Sequence, residues 1–291
     1  MAKKFSTETI KKIDAFFVNQ GTCVYSYFEL SKILKTNRSE WNLFGSFKFN
    51  SFLDFLLSEK ILKKISFDFP GLKISKYIYG NPSVYKMLSG INKNGYFSHA
   101  TASFLHGIHG RAPKWIYFNI EQSPKYPGNS VLNQEAIDRA FKSKQRVSSN
   151  TSTVSGKKVT IVNGKFTENL GVVKFTSDFG NDIPVTNIER TLIDISVRPT
   201  YAGGPKNVIT AYKNALAKVD INRLVEYLLK IDYVYPYHQV IGFYLEKCGC
   251  EEERTRPLID EFSQDFKFYL TYGMKETKFS ENWRLYYPSN L

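Results

Sequence analysis

The chain has 291 residues, about twice the usual length of one domain, and its 42% hydrophobic and 15% aromatic content excludes a disordered polymer. The 40 Lys and Arg against 27 Asp and Glu leave a formal net charge of +13, which makes a polyanionic partner the first expectation. No run approaches the ~18 apolar residues that span a bilayer, the start Met1-Ala2-Lys3-Lys4 lacks the apolar core of a secretion signal, and Cys23, Cys248 and Cys250 are too few for a disulfide framework; a soluble, cytoplasmic chain without membrane contact is expected.

The charge is unevenly spread. Residues 1–95 carry 15 basic and 7 acidic groups, residues 96–174 carry 11 and 4, and residues 175–291 carry 14 and 16, so the excess lies in the front three-fifths. A solvated, Lys-rich surface is the plainer reading of the same numbers.

In chain order, Ile10, Ile13, Phe16 and Phe17 recur at helical spacing over Thr7 to Gln20, after Ser6 as N-cap and before Gly21. Phe28, Leu30, Ile33 and Leu34 repeat the pattern over Tyr27 to Leu34, and the turn-forming run Lys35 to Ser39 ends it. A third helix over Phe47 to Glu59 puts Phe52, Leu53, Leu56 and Leu57 on one face and Lys48, Asn50, Ser51 and Asp54 on the other. Two β-rich runs, Ile61 to Phe67 and Leu72 to Tyr79, flank Pro70-Gly71 as a hairpin.

Three helices and a hairpin predict a winged helix-turn-helix over residues 1–80. In such a module the third helix enters the major groove, so Lys48, Asn50 and Ser51 are expected at base edges or phosphates, with Lys63, Lys64, Lys73 and Lys76 on the backbone. Asp54 on the reading face opposes tight contact, and docking of a protein is the alternative use of the module. Residues 81–95 read as a connector, with a short helix over Ser83 to Leu88.

Residues 96–291 read as a mixed α/β unit, so the whole chain is placed in the α+β class. Ser98 is expected to cap a helix over His99 to His106. Strands are expected at Trp115 to Ile120, Val159 to Val162, Gly171 to Phe175, Phe266 to Thr271 and Trp283 to Tyr287. Helices are expected at Glu135 to Phe141, Ile188 to Val197, Asn207 to Lys218, Arg223 to Ile231 and Tyr237 to Cys248.

Several residue sets here invite a chemical reading. His99, His106 and His109 have zinc-like spacing but no Cys or carboxylate beside them, His238, Cys248 and Cys250 lack a C-x-x-C pair, and neither set is expected to hold a metal. The run Tyr201 to Lys206 is Gly-rich and opens a helix, yet it lacks the spacing of a phosphate loop and reads as a turn. Glu189, Arg190 and Asp194 form an ionic cluster on one helix, capped by Thr186 or Asn187. The structural reading has Glu189 at the positive helix end, Arg190 and Asp194 as an i,i+4 pair, and Arg190 pinning loops by satisfying buried carbonyls. The catalytic reading makes the same three residues the centre of a nucleic-acid-processing enzyme, but no nucleophile recurs nearby and no acid stands two residues before Lys174. The stretch Arg139 to Lys158 holds six Lys and Arg and no acid; a flexible, solvated loop is expected, with a second polyanion contact as the sharper alternative.

Three strings then resemble a known family. Tyr96 to Gly107 (YFSHATASFLHG), Val185 to Asp194 (VTNIERTLID) and Val240 to Gly249 (VIGFYLEKCG), followed by Trp283-Arg284-Leu285, are similar in order and content to the AbiEi antitoxins. The resemblance implies a bacterial antitoxin of a toxin-antitoxin, abortive-infection system for phage defence. It implies that the winged helix represses its own promoter at inverted repeats of operator DNA. It further implies that the C-terminal domain, in which His99, His106, Glu189, Arg190 and Asp194 fall on the matched strings, counteracts a nucleotidyltransferase toxin functionally, without requiring a stable complex. No catalytic activity and no cofactor are expected of such a protein. The long stretch Lys142 to Lys158 and an irregular helix-turn-helix loop depart from the family pattern.

Overall fold

The computed structural model describes residues 5–125, 131–176 and 182–291. The chain divides into two compact units, Met1–Lys93 and Asn94–Leu291.

The first unit runs α1 (Thr7–Asn19), β1 (Val24–Tyr25), α2 (Tyr27–Asn37), α3 (Phe49–Ser58), β2 (Leu62–Phe69), β3 (Leu72–Tyr79) and α4 (Val84–Ser89). Local chemistry starts each helix. The Ser6 hydroxyl accepts from Thr9 N (3.1 Å), and Ser26 and Glu29 form a reciprocal capping box at α2. The helix α2 overruns the expected break, because the Asn37 side-chain amide donates back to Ile33 O (2.9 Å) and the turn-forming residues are absorbed into its last turn. The following loop is pinned by one guanidinium: Arg38 Nη1 donates to the carbonyls of Phe44, Gly45 and Phe47 at 2.7, 2.8 and 3.0 Å. Helix α3 consequently begins at Phe49, two residues later than expected, and Lys48 is its N-cap without a side-chain capping bond. Trp41, fully buried, stacks on Phe52 and joins Ile13, Phe17, Leu30 and Leu56 in the core.

The hairpin β2/β3 closes around Pro70-Gly71 with Phe69 opposite Leu72, and β1 pairs with the far side of β3, giving an antiparallel sheet of order β1-β3-β2. Most of the stretch read as a connector belongs to this unit: Ser83 caps α4, and Lys93 reaches Glu29 at 3.8 Å.

The second unit begins β4 (Tyr96–Phe97), α5 (His99–Leu105), β5 (Trp115–Asn119), α6 (Gln134–Lys142), β6 (Thr151–Val154), β7 (Lys157–Val162), β8 (Val172–Thr176) and β9 (Asp182–Thr186). It continues with α7 (Ile188–Val197), a single 3-10 turn (Pro199–Ala202), α8 (Pro205–Ala215), α9 (Ile221–Ile231), α10 (Tyr237–Lys247), α11 (Glu252–Thr255), α12 (Pro257–Asp260), β10 (Phe268–Tyr269), β11 (Thr277–Ser280) and β12 (Leu285–Pro288). Mixed α+β architecture is therefore observed. A six-stranded sheet has the order β6-β7-β5-β4-β9-β8, with parallel pairs β5/β7 and β4/β9, and a small sheet has the order β10-β12-β11. The helices α7 to α10 supply most of the large core, through Leu192, Ile193, Tyr212, Leu224, Ile241 and Tyr244.

The basic stretch expected to be a solvated loop is so only over residues 143–150; its end is a hairpin. Thr151–Val154 pairs antiparallel with β7, and the turn residues Ser155 and Gly156 both take positive φ (48° and 74°), as a two-residue hairpin turn requires. The Ser-Thr alternation that read as loop is the half-buried side of an edge strand. Other short strands, β1, β4 and β11, carry too few residues for periodicity to reveal them.

Helix α10 shows how tightly this core is filled. A methyl group on Gly242 would lie 2.1 Å from ring atoms of the fully buried Trp283. Gly242→Ala is therefore expected to destabilise the second unit by ~1–3 kcal/mol, read as a lower midpoint in denaturant unfolding; an unchanged midpoint would show that Trp283 can move aside.

Candidate functional site

Two places concentrate the residues that the sequence singled out. On the first unit, Lys48, Asn50, Ser51 and Asp54 are all exposed, on the face of α3 opposite Phe52, Leu53 and Leu56. Asn50 is not wholly free: its side-chain oxygen accepts from the Tyr27 hydroxyl at 2.8 Å, leaving the amide hydrogens as its outward donors. Tyr27 went unnoticed in the sequence because it opens α2, 23 residues away; its exposure and its edge-on packing against Phe49 place it at the same face.

The four hairpin lysines do not form one row. Pleating puts Lys64 and Lys73 on one face of β2/β3 and Lys63 and Lys76 on the other, as the register Asp68↔Lys73 and Ile65↔Lys76 requires. Lys73 is ion-paired with Asp68 (3.3 Å), and Lys63 donates to the Asn81 side chain (2.8 Å). Lys73 and Lys76, expected together on a nucleic-acid backbone, thus emerge on opposite faces of the hairpin, as do Lys63 and Lys64.

In the second unit the three matched strings come together: β4 and α5 from the first, β9 and α7 from the second, α10 from the third, with α7 packed against both α5 and α10. Asn187 caps α7 by accepting from Arg190 N (3.0 Å). One turn inside, the buried Arg190 guanidinium gathers four groups. Its Nε donates to Asp194 Oδ1 (2.9 Å), Nη1 to Leu170 O (2.8 Å) and Thr167 Oγ1 (3.0 Å), and Nη2 to the Tyr96 hydroxyl (3.4 Å). Burial alone would favour the neutral guanidine, but Asp194 and the neighbouring tyrosines pull the pKa of Arg190 upward, so the charge is permanent.

A residue that the sequence did not flag completes the network. Glu121, just after β5, accepts from Tyr96 OH (2.9 Å) and from Thr167 N (2.8 Å) and the Thr167 hydroxyl. Burial would raise this carboxyl, but those bonds outweigh it and hold it below its ordinary range. The signal available was an isolated acid at a strand end in a segment poor in acids.

Glu189 turns the other way. It accepts from Asp220 N (3.0 Å) and approaches Arg223 (3.9 Å), tying the start of α7 to α9. Glu189 therefore does not converge with Arg190 and Asp194 on one reacting centre. The histidines diverge as well: His99 Nδ1 bonds the Ser98 hydroxyl (2.8 Å), while His106 Nε2 donates to Thr186 O (2.6 Å). The Ser98 hydroxyl, expected as a helix cap, makes no capping bond. His238 stacks on Phe262, and Cys248 points its thiol at Ile209 O. Among the described residues no three His, Cys, Asp or Glu side chains are grouped to hold a metal ion. The Gly203-Gly204 turn takes positive φ at both residues and leads into α8.

Beside the Arg190 network lies a cavity of about 750 Å³, with Tyr96, His99, Arg190 and Asp194 on its wall and Lys125, Arg146, Lys165 and Arg198 also lining it. Of the basic stretch only Arg146 reaches this cavity; Arg139 and Lys142 lie on α6, and Lys158 sits over the Trp115 ring. His99 takes a left-handed φ of 54°, uncommon for a residue with a side chain.

No family model matches the chain, and no curated protein matches it. Among solved structures, the crystal structure of the Rv2827c protein from Mycobacterium tuberculosis is similar, with a TM-score of 0.61 at 14% identity, covering 98% of this chain and 93% of that one. That likeness is one of fold. No helix among the described residues is long and apolar enough to cross a membrane.

Burial pushes the His99 ring down to about 4 from an ordinary 6.5, against a weaker upward pull from Asp194. The folded form then binds fewer protons than the unfolded one below pH 6.5, so this contribution to stability is full above pH 6.5 and is lost as pH falls towards 4. His99→Asn, which tolerates the left-handed backbone, should flatten the decline of unfolding free energy across that window by up to ~1.4 kcal/mol per pH unit. An unaltered slope would mean that His99 is protonated in the fold.

Proposed function

We propose that this chain is a DNA-binding autorepressor and antitoxin. In this reading the first unit is a winged helix-turn-helix that grips operator DNA, and the second unit neutralises a nucleotidyltransferase toxin without catalysis of its own. The observation that carries the DNA half is the order helix, strand, helix, helix, hairpin around a three-stranded antiparallel sheet, with α3 presenting Lys48, Asn50 and Ser51 outward. The unit-wide excess of Lys and Arg supports it through phosphate attraction. The neutralising half is supported by the resemblance of the three strings to AbiEi antitoxins and by their convergence into one packed body around α7. Against the enzyme reading stands the geometry of the proposed triad, since Glu189 is committed to α9 while Arg190 and Asp194 are committed to each other.

Within this proposal the residues divide by role. Lys64 with Lys73, on one sheet face, are assigned to the DNA backbone, and Asn50, whose amide hydrogens point outward while Tyr27 bonds its oxygen, is assigned to a base-edge acceptor.

The test is a mobility-shift titration of the full chain on its own upstream DNA at several salt concentrations. Lys64→Ala with Lys73→Ala should weaken binding to operator and unrelated DNA alike and lower the salt slope by about two. Asn50→Ala should erode preference for the operator by ~1–3 kcal/mol while leaving the salt slope alone. Rescue of cells expressing the neighbouring nucleotidyltransferase tests the other half. Failure of the wild type to bind DNA at low salt would remove the repressor role, and failure to rescue would remove the antitoxin role.

A further inference from the structure

The cavity of the second unit has a composition that neither its packing nor the network beneath it requires. Its volume, about 750 Å³, lies within the range of small-molecule sites. Among the described residues that line it Asp194 is the one carboxylate, and Asp194 is already bonded to the buried Arg190. The cations Lys125, Arg146, Lys165 and Arg198, all exposed, are thus uncompensated by any acid of the lining. Two of them, Lys165 and Arg198, are held by hydrogen bonds to backbone carbonyls. Arg198 Nη1 donates to Arg146 O (2.9 Å), setting two guanidinium-bearing residues side by side. The Lys165 ammonium donates to the carbonyls of Ile231 and Asp232, both at 2.6 Å, which leaves its third hydrogen for another acceptor.

The other lining is aromatic. Tyr201, Tyr233, Tyr235, Tyr237 and Tyr272 contribute ring surface to the same space. Amide side chains at Asn119, Gln122 and Asn163 add groups able to donate and accept together. His99, held in its left-handed conformation on the wall, adds a ring nitrogen beyond the one bonded to Ser98. Strained backbone of this kind collects at functional sites. Fixed cations call for an anion, tyrosine rings for a planar ring, and amides for an edge bearing donors and acceptors; one chemical class has all three.

We propose that this cavity is a binding site for a nucleoside phosphate, with the phosphate at Arg146, Arg198 and Lys165 and the base among the tyrosines. The proposal stands on the second unit alone and does not depend on the DNA-binding reading of the first. A free nucleotide and the phosphorylated end of a nucleic-acid strand share this chemistry, and the test separates them.

The experiment is calorimetric titration of the full chain with ATP, GTP, CTP and UTP, with adenosine, with inorganic phosphate, and with a 5′-phosphorylated RNA tetranucleotide. At least one nucleotide is expected to bind, with adenosine and phosphate each about tenfold weaker or more, because each engages only one half of the site. Arg146→Gln, at an exposed position, should weaken the nucleotide about tenfold. Lys278→Gln, exposed on β11 and outside the cavity, should leave it unchanged. Tighter binding of the tetranucleotide than of any mononucleotide assigns the site to a strand end, and the reverse order assigns it to free nucleotides. Absence of binding by every nucleotide and by the tetranucleotide at millimolar concentration overturns the proposal. So does phosphate binding as tightly as the nucleotides, or a nucleotide affinity that Arg146→Gln leaves intact.

Discussion

The second unit is organised around a guanidinium that has been taken out of water. Burying an arginine costs several kcal/mol unless its donors find acceptors, and Arg190 meets that demand by drawing Asp194, Leu170 O, Thr167 and Tyr96 to itself. The four acceptors come from three pieces of chain: Asp194 a turn further along α7, Thr167 and Leu170 on the loop before β8, and Tyr96 on the short strand β4. Glu121 binds the far side of the same loop and the same tyrosine, so the end of β5 is fixed by the same charge. The loop carrying Lys165 and the strand carrying Tyr96 border the cavity, whose shape follows from this arrangement.

The two units handle charge differently. In the first, Lys63, Lys64 and Lys73 of the hairpin stand exposed, and Lys73 pairs with Asp68 where both side chains remain open to solvent. In the second, the acids near the cavity are consumed internally, Glu121 by Thr167 and Tyr96, Asp194 by Arg190, so the cations at the cavity are left to act outward.

Much of this was legible in the sequence. The helices from α7 to α10 follow the apolar spacing closely, since each has a wide buried face, and Asn187 and Ser6 could be read as caps from their residue types. The pairing of Arg190 with Asp194 followed from i,i+4 spacing on one helix. What was hidden depends on distant partners. Glu121 and Thr167 are separated from Arg190 by whole strands, and Tyr27 meets Asn50 only because α2 and α3 pack together. The edge strand β6 was masked by Ser and Thr, which favour turns in isolation but alternate in and out of the sheet once β7 supplies a partner. Alternation along β2 and β3 could be read from the spacing of the lysines, but which of them share a face depends on the register across the turn.

The most direct test of this account is the stability of the second unit without the guanidinium, followed by denaturant unfolding of Arg190→Met beside Thr167→Val. If the buried charge organises the unit, Arg190→Met loses ~3–5 kcal/mol, because Asp194 is left buried and unpaired, and Thr167→Val loses ~1–3 kcal/mol through the donors it strands. A loss below ~1 kcal/mol for Arg190→Met, within the range of an ordinary surface change, would contradict it.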